Sequence, residues 1–148
     1  MKKLFLTAIA SAFFLSSCSR DNDPEILESG VYKIEISTNG DSQKWNEMLT
    51  LLHKGGENNA SGVNWTDTET VSENYYSYTY QSLKAENHAL KTSANVENLT
   101  LTGVYFPEQG AEPLKVNVKV WKDNQLRKND NYNFNASNND NYFVITEY

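Results

Sequence analysis

The sequence has few of the residues on which cross-links, metal sites and nucleic-acid binding depend. Its 148 residues include one cysteine, which excludes a disulfide framework and any metal site built from several cysteines. Lys and Arg number 13 against 19 Asp and Glu, for a net charge of -6. This acidic balance argues against a nucleic-acid partner, because phosphates require a basic footprint. The length corresponds to one ordinary domain.

The chain also lacks the short motifs of common enzyme classes. It has no G-x-S-x-G, no H-E-x-x-H, no phosphate loop and no dinucleotide glycine pattern. His53 and His88 are far apart, with no acidic residue at ligand spacing, so we expect them at the surface or at strand ends. Glu108 and Glu112 flank a glycine in a loop and are expected to be solvated. We therefore predict a protein that is not an enzyme and has no metal or cofactor.

A long apolar run is found only at the N-terminus. Lys2 and Lys3 precede an uncharged run over 4–15, which is typical of a signal peptide and shorter than the ~20 residues of a membrane-spanning helix. Leu15-Ser16-Ser17-Cys18 resembles the lipobox of bacterial lipoproteins. That resemblance implies cleavage before Cys18 and covalent attachment of diacylglycerol and an N-acyl chain, such as palmitate, to it. The alternative is an ordinary secretory signal with Cys18 as a free thiol.

The residues after Cys18 predict where the protein is located. Ser19, in place of an Asp, favours the outer membrane, and the three carboxylates of 20–25 resemble the acidic export signal of surface lipoproteins in Bacteroidota. We therefore favour a cell-surface orientation over a periplasm-facing one. The predicted organisation is a cleaved signal peptide (1–17), a lipidated Cys18 with a flexible acidic tether (18–29) and a folded domain (30–148).

Alternation of apolar and polar residues predicts short β-strands along the folded part. The clearest examples lie at 31–37, 75–83, 99–105, 114–120, 125–134 and 142–148. Residues 42–53 also fit helical spacing, but a strand is favoured there. Residues 54–74 are expected to hold at most one short strand, at 63–65, and Asp123-Asn124 is expected to be a tight hairpin turn.

Seven or eight such strands joined by frequent turns predict an all-β, antiparallel β-sandwich. The Ser-Thr-Asn-Gly-Asp segment at 37–41 and the hairpin pattern at 116–124 resemble small immunoglobulin-like lipoprotein domains of Bacteroidota. The resemblance implies an immunoglobulin-like sandwich and an outer-membrane location. It brings no functional motif with it.

Two groups of residues are candidate binding sites. Tyr76, Tyr78 and Tyr80 share one face of a predicted strand, with Trp65 near them. If these rings are buried, they form part of the core, and the polar residues on the opposite face of the strand favour this alternative. If the rings are exposed, they are candidate contacts for a glycan or a protein. The second group could bind calcium if it gathers at one end of the sandwich, but turn formation is the favoured explanation for it: Asp130, Asn131, Asn138, Asn139 and Asp140.

The function predicted from the sequence is that of an outer-membrane lipoprotein presenting a non-catalytic β-sandwich as a binding or accessory module. It is held at the membrane by lipid, and its partner is a protein or a glycan. The alternative is a surface lipoprotein that binds glycans through exposed Tyr and Trp rings. A hydrolase with carboxylates brought together by the fold is a minor alternative.

Overall fold

The computed structural model describes residues 28–56 and 59–148. The predicted signal peptide, Cys18 and most of the tether lie outside these residues. A single 3-10 turn, Ser42–Lys44, accompanies ten strands, and no helix of the described chain is long and apolar enough to cross a membrane. The strands are β1 Tyr32–Gly40, β2 Trp45–Lys54, β3 Ala60–Ser61, β4 Asp67–Ser72, β5 Tyr75–Ser82, β6 His88–Thr92, β7 Glu97–Pro107, β8 Leu114–Lys122, β9 Gln125–Phe134 and β10 Tyr142–Glu147.

The strands form two five-stranded sheets that pack as a β-sandwich, which confirms the predicted fold class. Sheet I has the order β3-β6-β1-β8-β9, and sheet II has the order β10-β7-β2-β5-β4. Every pair of neighbouring strands is antiparallel. The two sheets bury their alternating apolar residues against each other, as such sandwiches require.

The strand count exceeds the prediction because β3, β4 and β6 were not expected. The strand predicted at 63–65 is wrong, and β4 lies instead at 67–72. All six residues of β4 are exposed, so neither face of the strand requires apolar residues and its sequence does not alternate between apolar and polar residues. Its backbone pairs with β5, for example Thr68 with Tyr78, and this pairing alone defines it as a strand.

The segment that fitted both a helix and a strand is a strand from Trp45 onward, as favoured. Its inward residues, among them Leu49 and Leu51, are buried, and β2 pairs with β5 on one side and with β7 on the other. The Trp45 indole is buried, and its Nε1 donates to the Glu112 carbonyl at 2.8 Å. A central strand with two partners satisfies its backbone by pairing, which overrides the short helical pattern.

The hairpin turn between β8 and β9 is also confirmed. Asp123 and Asn124 have φ angles of 50° and 65°, and two successive positive φ values suit the right-handed twist of the flanking strands. In β7, Gly103 is buried beside the Phe143 ring of β10, which occupies the space where a Cβ would lie. The glycine therefore makes room for an aromatic ring of the neighbouring strand.

The chain enters the sandwich at the end that holds this turn. Gly30 forms a two-way backbone bridge with Val96, and the Val31 N–H donates to the Asp123 carboxylate at 3.0 Å. The buried Lys122 ammonium donates to the Glu28 carbonyl at 2.8 Å. Because β1 pairs Tyr32 with Lys122 and Gly40 with Leu114, the connections 83–87, 108–113 and 135–141 lie at the opposite end.

Candidate functional site

The tyrosine stripe lies on the inner face of sheet II. Tyr78 is only 2% exposed, while Tyr76 and Tyr80 are half-buried and pack against the core. Trp65 is also half-buried, with its ring centroid 5.5 Å from that of Tyr78 and its Nε1 donating to the Ala60 carbonyl at 3.2 Å. The structure thus brings the four predicted aromatic residues together between the sheets. For Tyr78, the alternative in which the ring belongs to the core is correct.

His53 lies beside this stripe, next to the last residue of β2, so it is near a strand end as predicted, but it is not at the surface. It has 0% exposure because the alternation of β2 directs every second side chain into the core. Its ring stacks on Tyr78 with a centroid distance of 5.4 Å. Neither ring nitrogen forms a side-chain hydrogen bond within the described chain. Burial lowers the pKa of His53, and a backbone contact with Lys54 opposes this only in part.

We expect the protein to lose stability as the pH falls below about 6.5, the ordinary pKa of histidine, because unfolded His53 takes up a proton that the folded core disfavours. This contribution is fully present above that pH. His53→Phe keeps the stacked ring and removes the titration, so its free energy of unfolding should vary less between pH 7 and pH 5. Urea unfolding at several pH values measures the difference. If the free energies of unfolding of the wild type and of His53→Phe change equally with pH, His53 is not the group responsible for the loss of stability.

A buried carboxylate, Glu47, links the two sheets. It projects inward from β2, and its side chain has 0% exposure. One oxygen accepts a hydrogen bond from the Tyr105 hydroxyl at 2.8 Å; the other lies 2.7 Å from His88 Nε2 and accepts from the Glu86 N–H at 3.3 Å. His88 begins β6 in sheet I, so it lies at a strand end as predicted, but its side chain is buried and has an acidic partner. A separation of 41 residues conceals this pair in the sequence.

The cluster extends from Glu47 towards the surface. The Tyr80 hydroxyl donates to the Glu86 carboxylate at 2.9 Å, and the Tyr80 and His88 rings form a T-shaped contact with a centroid distance of 5.1 Å. Burial and the bond to Glu86 raise the pKa of Tyr80, whereas the donors Lys84 and Tyr80 lower the pKa of Glu86. Burial, followed by the charge of Glu47, raises the pKa of Tyr105. Since both Glu47 oxygens already accept hydrogen bonds from the protein, the geometry favours a structural link.

The residues considered for calcium do not form one group. Asp130 and Asn131 lie within β9, opposite Val118 and Asn117, whereas 138–140 belong to the connection that follows Phe134. In the chain from 28 onward, apart from 57–58, no three His, Cys, Asp or Glu side chains gather as metal ligands would. Glu108 and Glu112 are exposed, as predicted.

The outer face of sheet I carries a polar surface that the sequence reasoning missed. Outward positions of β1, β6 and β8 hold four lysines: Lys33, Lys91, Lys115 and Lys119. Alongside them lie Trp121 and four asparagines: Asn117, Asn129, Asn131 and Asn133. The alternation in β8 could have revealed this surface. The residues that alternate with its buried valines, and therefore point outward, are two lysines, an asparagine and a tryptophan.

The fold and its interior define the class of this protein as an antiparallel β-sandwich domain with a buried polar link between its sheets. No known family profile and no curated protein matches the chain. Solved structures from Bacteroidales are similar to it. A protein from Parabacteroides distasonis, determined by NMR in a calcium-bound form, is 17% identical, has a TM-score of 0.57 and covers 84% of this chain and 98% of its own.

Two crystal structures show the same likeness. A DUF4425 family protein from Bacteroides ovatus is 18% identical, with a TM-score of 0.54 over 80% of this chain and 96% of its own. A DUF4425 domain of unknown function from Bacteroides vulgatus is 16% identical, with a TM-score of 0.50 over 80% of this chain and 91% of its own. At these identities the likeness shows a shared fold.

Proposed function

We propose that this protein is an outer-membrane lipoprotein, attached through Cys18 and exposed at the cell surface, that presents its β-sandwich as a non-catalytic binding or accessory module. The observation that carries the proposal is the way in which the chain enters the domain. Lys122 and Asp123 hold Glu28 and Val31 at one end of the sandwich. A tether attached at Glu28 would join the lipid to that end of the sandwich, with the opposite connections farthest from the lipid and both outer sheet faces along the sides.

The interior supports a binding role on the outside of the sandwich. Tyr78 is buried and Tyr76 and Tyr80 are half-buried, which argues against the stripe as a stacking platform for sugars. Glu47 is enclosed by donors, which favours a structural role over that of a hydrolytic carboxylate. Because the structurally similar protein from Parabacteroides distasonis has a calcium-bound form, calcium is also a ligand to titrate against this chain.

We expect metabolic labelling with a palmitate analogue to mark the wild-type protein and not Cys18→Ala, because Cys18 is the only cysteine that can be acylated. Without its acyl chains the variant should leave the membrane fraction, since stable attachment requires two or more chains. Ser17→Ala keeps a small residue before Cys18 and is the control that should retain the label. Protease added to intact cells should digest the wild-type domain if it faces outward. Equal labelling of wild type and Cys18→Ala would disprove the anchor.

A further inference from the structure

The outer face of sheet I differs in charge from the rest of the protein. Its outward positions hold four lysines against a single carboxylate, Glu35, although the whole chain has a net charge of -6. Glu35 is bonded to Lys33 at 2.7 Å. Within the described chain, no carboxylate lies at ion-pair distance from Lys91, Lys115 or Lys119. This face therefore presents positive charges that its own sheet does not neutralise.

The strand register arranges these residues in rows across the sheet. Lys91, Lys33, Trp121 and Leu126 form one row, and Asn39, Lys115 and Asn133 form another. Between them lie Glu35, Lys119 and Asn129, followed by Ser37, Asn117 and Asn131. Outward residues along a strand are ~7 Å apart and neighbouring strands ~4.8 Å apart. The positive charges are thus spread over the surface of the sheet rather than gathered around one point.

The asparagine amides on this face are suited to hydroxyl groups. Each asparagine amide carries both donors and an acceptor, and the Asn117 amide already holds Asn129 and Asn131 in place at 2.9 and 3.0 Å. The Lys33 ammonium lies 5.0 Å from the centre of the Trp121 ring, which positions that charge beside an aromatic surface. An array of amides and spaced ammonium groups matches a polymer with both hydroxyls and recurring negative charges.

We propose that the outer face of sheet I binds a carboxylated polysaccharide, with Lys115 and Lys119 contacting its carboxylates and Asn133 contacting its hydroxyls. The amide rows favour such a glycan over an anionic lipid surface, which is recognised mainly through charge and inserted apolar groups. This inference rests on the proposed binding module and names its ligand class. It uses a different surface from the tyrosine stripe.

The test uses the purified mature protein, from Cys18 onward, in detergent micelles with polygalacturonate as the probe. We expect affinity electrophoresis to show retardation by polygalacturonate and not by neutral dextran, with binding that weakens as salt is added. Lys115→Gln/Lys119→Gln should weaken binding about tenfold, because two charge-assisted contacts are lost. Asn133→Asp, which places a carboxylate opposite Lys115, should also weaken it. Lys44→Gln/Lys84→Gln makes the same charge change away from this face and should bind as the wild type does.

Three outcomes would overturn the proposal. These are the absence of retardation by polygalacturonate, an equal loss in both double variants, and binding to phosphatidylglycerol vesicles in place of the polysaccharide with the same dependence on Lys115 and Lys119. Circular dichroism of each variant separates a loss of binding from a loss of folding. Because binding in micelles does not depend on where the anchor directs the protein, a failure here is distinct from a failure of the palmitate labelling.

Discussion

Replacing Tyr78 with alanine is expected to lower the free energy of unfolding by about 3–5 kcal/mol, the usual cost of removing a buried aromatic ring. Tyr78 is 2% exposed and lies in register with Leu51. Its ring contacts both His53 and Trp65, at centroid distances of 5.4 and 5.5 Å, so truncation leaves a cavity between two aromatic neighbours. Chemical denaturation of wild type and variant measures the difference.

Two further variants separate the contribution of the ring from that of its hydroxyl. Tyr78→Phe keeps the ring and loses an acceptor for the Asn59 N–H at 3.3 Å, so its effect should be about 1 kcal/mol. Ser77→Ala, on the outward side of the same strand, should have little effect. A near-neutral result for Tyr78→Ala would show that the ring does not belong to the core and would restore the stripe as a candidate ligand contact.

Glu47→Ala is expected to cost a similar amount, about 3–5 kcal/mol, because it breaks a buried and fully bonded pair. The substitution leaves the Tyr105 hydroxyl and His88 Nε2 without the acceptor that lies 2.8 and 2.7 Å from them. It also removes a link between sheet I and sheet II. Thermal and urea unfolding should both show the loss.

A double-mutant cycle tests whether the loss arises from the pair itself. His88→Ala and Glu47→Ala should be strongly non-additive, since each removes the same contact. Glu35→Ala is the matched control: it removes a glutamate from an exposed ion pair with Lys33, for which about 0–1 kcal/mol is expected. Additive losses for Glu47 and His88 would show that the two side chains act independently and that the proposed link between the sheets is wrong.

Much of the fold was predictable because burial on one face of a sheet imposes a period of two. The valines of β8 and the isoleucines of β1 alternate with polar residues, and their strands, the β8–β9 turn and the sandwich class were all predicted correctly. Two of the four edge strands, β3 and β4, were missed for the same reason: β4 is exposed on both faces, and β3 has only two residues. Such strands are defined by their backbone pairing with a neighbouring strand. The residue pattern of the strand itself does not reveal that pairing.

The same distinction between local patterns and contacts across the fold applies to the candidate sites. The sequence by itself determined the alternation of the strands, the lipobox-like segment that ends at Cys18 and the acidic character of the chain, because each of these is a local property of neighbouring residues. Only the tertiary structure decided that Glu47 meets His88, that His53 is buried and that the lysines of three strands share one outer face. These are relations between residues up to 86 positions apart, such as Lys33 and Lys119, and strand register across the sheet establishes them.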